Sequence, residues 1–208
     1  MPSGPQVQYV TKLQAARRQL VTAIRLFFDD REPVSVHTLA HASWEILSCL
    51  CRADGIHPFA EKTSIILEQD ARQIRRMASR YKNFFKHADR DPGEALDDFG
   101  DLENDWVLFA AASDLKSLCD DKVPIEVMVF FIWYLNINFP KELRNAELPN
   151  QAMQYWLYLG AKYLGDSRQQ SRAELKRRGR DMLGAWLQMP EVINLPHTDR
   201  TQIQFWSD

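Results

Sequence analysis

The residues best suited to chemistry lie in the run Arg80-Tyr81-Lys82-Asn83-Phe84-Phe85-Lys86-His87. On an α-helix, at about 100° per residue, positions 80, 83 and 87 share one face within two turns. That face offers a guanidinium, a carboxamide and an imidazole: a fixed cation, a neutral hydrogen-bonder and a group that exchanges a proton near neutral pH. Ile74, Met77, Tyr81, Phe84, Phe85 and Ala88 form the neighbouring apolar stripe. The polar trio is therefore expected along the edge of a buried face, partly desolvated and still reachable. Upstream, Arg72, Arg76 and Arg80 recur every fourth residue. Such a row of planar, bidentate donors suits phosphate oxygens.

Two further constellations follow the same spacing. His37, His41 and Glu45 are each four apart, and two imidazoles at i and i+4 can chelate zinc from one helix face with a carboxylate as third ligand. Thr38 stands where hydrolytic zinc helices carry a glutamate beside the first histidine. Without a second helix to supply ligands, the row reads first as the polar flank of a packed helix. Arg168, Arg172, Lys176 and Arg180 make the strongest basic stripe. It reads either as a solvated face, partly neutralised by Asp166, Glu174 and Asp181, or as a contact to a phosphate backbone that would be salt-sensitive and blind to sequence.

The elements that must position these groups are helices. Apolar residues recur at helical spacing in Val7–Asp29, in a second segment reaching Asp54, and in Trp106–Leu118. Ser35 is a plausible cap for the second helix, and Gly55 suits its end. Another piece begins at Pro58 and is expected to break or bend near Asp70. Pro124 opens an apolar helix over Ile125–Phe139, which Pro140 closes. Pro149 opens the next, and Ser167-Arg168-Gln169-Gln170 has the form of a capping box for a last helix to about Leu187. Strand alternation and hairpin turn pairs are absent from the sequence. The expectation is an all-α protein of seven or eight helices. Residues 1–6 form a disordered leader, 7–140 a compact bundle and 141–190 a helical hairpin packed on it, with an irregular tail over 191–208.

Composition excludes several classes. The 208 residues carry 26 Lys and Arg against 28 Asp and Glu, a net charge of -2, so any nucleic-acid contact must come from local basic faces. Three cysteines without a C-x-x-C pair read as reduced core thiols of a cytoplasmic protein. The apolar run Val127–Leu135 is far short of the ~20 residues of a membrane span, and no membrane contact is expected. With eight glycines and no Gly-rich phosphate loop, no cofactor is expected either. Acids dominate 89–105, either as a solvated loop leading into a helix start or as a patch that docks a partner's basic face.

At Arg80, Asn83 and His87 the chain resembles the HEPN family (higher eukaryotes and prokaryotes nucleotide-binding), all-α domains with an arginine and a histidine four to six residues apart near a helix end. Six residues separate Arg80 from His87, and Asn83 matches the polar residue found between them. Tyr81 follows the arginine where many members have a polar residue. Lys82-Asn83 matches that local pattern more nearly, but Lys82 points about 140° away from His87, which favours Arg80. The resemblance covers at most residues 7–140. It implies a homodimer in which two copies of the motif meet at one metal-independent RNase site of a toxin or defence system. There His87 would be the general acid/base, Arg80 the stabiliser of phosphate charge and Asn83 the orienting group. RNA or a nucleotide would bind along Arg72, Arg76, Lys82, Arg168, Arg172 and Lys176. The alternatives are a non-catalytic interaction module that docks a partner protein through 89–105, and a metal hydrolase built on His37, His41 and Glu45.

Overall fold

The computed structural model describes residues 9–67, 79–87, 89, 92–119, 122–138 and 151–189. Among these residues the chain is all-α, with eight α-helices and one 3-10 turn. They are α1 (Lys12–Phe28), α2 (Pro33–Ala53), α3 (Phe59–Leu67), α4 (Arg80–Lys86), α5 (Glu103–Leu118), α6 (Ile125–Asn138), α7 (Gln151–Leu164) and α8 (Arg172–Trp186).

Local chemistry sets most of the helix ends. Thr11 caps α1 with a reciprocal pair: its hydroxyl accepts from Gln14 N–H, and the Gln14 side chain accepts from Thr11 N–H. The helix therefore begins five residues later than its apolar spacing suggests. Helix α2 starts at Pro33 rather than behind a Ser35 cap, because the fixed φ of proline already suits the first helical position. Gly55 takes φ +72° just past its end. Helix α5 begins at Glu103, earlier than its apolar residues indicate, with Glu103 and Asp105 at the positive end of its dipole. The box at Ser167 is corrected: Ser167–Gln169 is the 3-10 turn, and the Ser171 hydroxyl, accepting from Glu174 N–H, caps α8.

Helix α6 is apolar on every side because neighbours surround it: α1, α5, α7 and α8 all pack against it. Phe27, Phe28, Phe130 and Trp133 meet edge-to-face or stacked at its centre. The last two helices share this core. Trp133 Nε1–H donates to Leu175 C=O of α8 at 2.8 Å, and Asn136 Nδ2 donates to Leu157 C=O of α7. Glycines permit the approach. A Cβ at Gly160 would lie 2.3 Å from Ile132 Cγ2, and one at Gly179 would lie 2.2 Å from Phe28 Cε1. The expected boundary between Pro140 and Pro149 lies outside the described residues.

No described helix is long and apolar enough to cross a membrane. The cysteines are free, Cys49 exposed and Cys51 buried, and burial pushes the Cys51 thiol up to about 12.

Candidate functional site

Helix α4 is seven residues long and lies across α2. Its buried residue is Tyr81, and the contacts that fasten it come from the two sequence constellations meeting. The Lys82 amine pairs with the Glu45 carboxylate of α2, and the Ser79 hydroxyl stands 3.4 Å from His41 Nε2. Residues at i and i+4 on α2 thus face residues just before and inside α4.

The two imidazoles of α2 are buried, His37 at 2% exposure and His41 at 1%, with ring centroids 6.0 Å apart. Three rings meet His37 edge-on: Tyr81, Phe85 and Phe99. Asn104, buried at the start of α5, fixes its tautomer. The Asn104 amide NH₂ donates to Pro33 C=O, which turns its oxygen toward His37 Nδ1 at 3.1 Å, so that nitrogen carries the proton. Burial lowers the pKa of His37. It pushes His41 down to about 4, with nearby Lys82 and His37 acting in the same direction and Glu45 opposing them. Among the described residues, neither His37 Nε2 nor His41 Nδ1 has a hydrogen-bond partner.

This geometry buries the two imidazoles instead of leaving them on a polar helix flank, and among the described residues it assembles no zinc site. His37 Nδ1 is committed to Asn104, and Glu45 pairs with Lys82. No group of three or more metal-ligating side chains converges among the described residues. Ser79, His41 and Glu45 do run hydroxyl–imidazole–carboxylate, the order of an activated serine. The carboxylate, however, stands 3.9 Å from His41 Nδ1, and an imidazole titrating near 4 is a feeble base at neutral pH. The row holds α4 to α2.

On the far side of α4 the predicted trio faces solvent. Arg80 is the first residue of the helix and its side chain is 58% exposed; Asn83 is exposed; His87 is 39% exposed. His87 leaves helical geometry, with φ −120° and ψ 59°, yet its N–H still donates to Asn83 C=O. Its backbone therefore closes the last turn of α4. The Arg80 guanidinium donates to Asp98 Oδ2 at 2.6 Å, and that carboxylate raises the arginine's pKa. His87 Nδ1 stands 3.9 Å from Asp89 Oδ1. Arg80 and Asn83 are thus exposed and His87 partly so, at the two ends and the middle of one short segment.

The other expected phosphate contacts divide. Arg72, Arg76 and the Arg168 side chain lie outside the described residues. Lys82 is turned to Glu45 and is largely covered. Arg172 and Lys176 are corrected outright, because the basic stripe of α8 meets the acidic segment of its own chain. Arg172 donates to both carboxylate oxygens of Asp105 and to Asp101; Lys176, 2% exposed, pairs with Asp30 and Asp101 over the Phe27 ring. Opposite charges on a helix face and on a loop cancelled inside the fold, which leaves neither free for phosphate. Asp101 and Asp105 are accordingly withdrawn from any partner-docking patch, whereas Glu94, Asp97 and Glu103 remain exposed.

Sequence reasoning missed Asp98 as the partner of Arg80, and Ser79 and Lys82 as partners of α2. Charge and spacing held no signal for them, since each pairing joins distant parts of the chain. No family model, no curated protein and no solved structure matches this chain.

Proposed function

We propose that this chain is a HEPN-like protein that contacts RNA through the Arg80/Asn83/His87 side of α4 and cleaves it without a metal ion, as a cytoplasmic homodimer in a toxin or defence system. One observation carries the reading. A guanidinium, 58% exposed and paired with Asp98, and an imidazole, 39% exposed, stand at opposite ends of one short helix whose other side is anchored. In this chemistry His87 takes the proton of a ribose 2′-hydroxyl as that oxygen attacks the adjacent phosphorus. The P–O5′ bond breaks, and the protonated His87 of the second copy gives its proton to the departing 5′-oxygen, leaving a 2′,3′-cyclic phosphate. Arg80 stabilises charge growing on the phosphate oxygens, and Asn83 orients the sugar-phosphate backbone. The resemblance supplies the dimer, in which two such faces meet and provide both a base and an acid.

The test is incubation of purified protein with single-stranded RNA in EDTA. Cleavage is expected for the native chain and is expected to vanish in His87→Ala. Persistence in that variant removes the assignment. A second reading, a non-catalytic docking module, is favoured by the exposure of Glu94, Asp97 and Glu103. It predicts no RNA turnover and a bound partner protein that is lost when Asp97 and Glu94 are reversed to lysine.

A further inference from the structure

The acidic segment before α5 places a carboxylate on the cation of the candidate site, and its position is set from inside the protein. Asp98 Oδ2 accepts from Arg80 at 2.6 Å, and the Tyr81 hydroxyl donates to the Asp98 carbonyl at 3.4 Å. The next residue, Phe99, inserts its ring among Tyr81, Phe85 and His37, at centroid distances of 5.1, 5.1 and 5.5 Å. A surface arginine–carboxylate pair is ordinarily weak, because two flexible side chains must be held together. Here the backbone on one side of the pair is pinned by an aromatic ring at the buried face of α4. The carboxylate is therefore presented to Arg80 at high effective concentration. Carboxylate and phosphate compete for the same guanidinium donors.

We infer that Asp98 is a built-in competitor of the phosphate ligand: it occupies the anion subsite on Arg80, and an RNA phosphodiester must displace it to bind. The inference rests on the RNA-contacting reading above and adds its regulation. Whatever loosens the Phe99 pin also uncaps Arg80, so the acidic segment acts as a strap over the site. Asp98 touches no reacting atom in this scheme; it controls access to one that does.

The experiment is a binding titration with a short fluorescein-labelled oligoribonucleotide carrying 2′-O-methyl sugars, which cannot be cleaved. Native protein is compared with Asp98→Asn, Arg80→Gln and the double variant over a series of salt concentrations. Asp98→Asn is expected to bind up to about fivefold tighter, the range of an exposed ion pair. Because Arg80 meets the phosphate in both complexes, the salt slope is expected to change by less than the ~0.7 that one added phosphate contact on a single strand would give. In the Arg80→Gln background the same change is expected to do nothing. Unchanged affinity in Asp98→Asn overturns the inference. So does a gain that survives in Arg80→Gln, which would mark Asp98 as mere net charge. The cleavage reading fails separately: natural RNA left intact by a protein whose Asp98→Asn variant still tightens through Arg80 would remove the nuclease and leave the capped subsite.

Discussion

His41 is an imidazole in a place that resists a proton. Folded, it titrates near 4, against an ordinary value of 6.5, because burial penalises the charged form. The unfolded chain therefore binds the proton first as pH falls below about 6.5. Stability declines through that window and levels off below about 4, by about 3 kcal/mol in full for this one group. His37 shifts in the same direction. Burial shifts Asp105 and Asp114 the other way: their raised pKa values favour the fold when they are protonated, and that contribution is lost as pH rises through them. Urea denaturation across mildly acidic pH is expected to show the decline in native protein and a shallower one in His41→Gln. Equal slopes would place the acid sensitivity elsewhere. Sequence spacing aligned His37, His41 and Glu45 correctly, but only burial made the two imidazoles neutral packing partners instead of ligands or a polar flank.

Helix α8 contains two glycines with opposite consequences. A methyl group at Gly179 would stand 2.2 Å from Phe28 Cε1 and 2.9 Å from Trp133 Cδ1, inside a cluster of rings that cannot retreat. Gly179→Ala is expected to cost about 1–3 kcal/mol through overpacking, more than the ~1 kcal/mol that alanine returns in helix propensity. Nothing lies within 4 Å of the position a Cβ would take on Gly184, and Gly184→Ala is expected to stabilise by about 0.5–1 kcal/mol. Thermal melts of the two variants should move in opposite directions; a shared direction would mean that α8 is not seated as described. The helix itself was legible from its periodicity. Which of its glycines touches a neighbour depends on rotation about the helix axis, and that is set by the partners.

Across the whole molecule, charge that looked available for ligands is used to close the fold. Arg172 and Lys176 tie α8 to the turn after α1 through Asp30 and to the start of α5 through Asp101 and Asp105. The cations of Arg172 and Lys176 also lie 5.4 and 4.5 Å from the Phe27 ring centroid. Arg172→Met, which keeps the aliphatic stem, is expected to lower stability by about 2 kcal/mol, since Asp101 and Asp105 lose a half-buried partner. The same variant is expected to leave the salt slope of oligonucleotide binding unchanged. A flatter slope would restore α8 as a nucleic-acid face; an unchanged melting temperature would deny the ion-pair network its structural weight.

By itself the sequence determined the helical class and the approximate place of the described helices, because hydrophobic period, prolines and caps act over a few residues. It also held both halves of every ion pair. The tertiary structure alone decided which halves meet: Lys82 with Glu45, Arg80 with Asp98, and Arg172 with Asp101 and Asp105. Those choices join residues 18 to 71 positions apart. Local rules cannot rank them, because the outcome turns on which charges packing removes from water and which it leaves exposed.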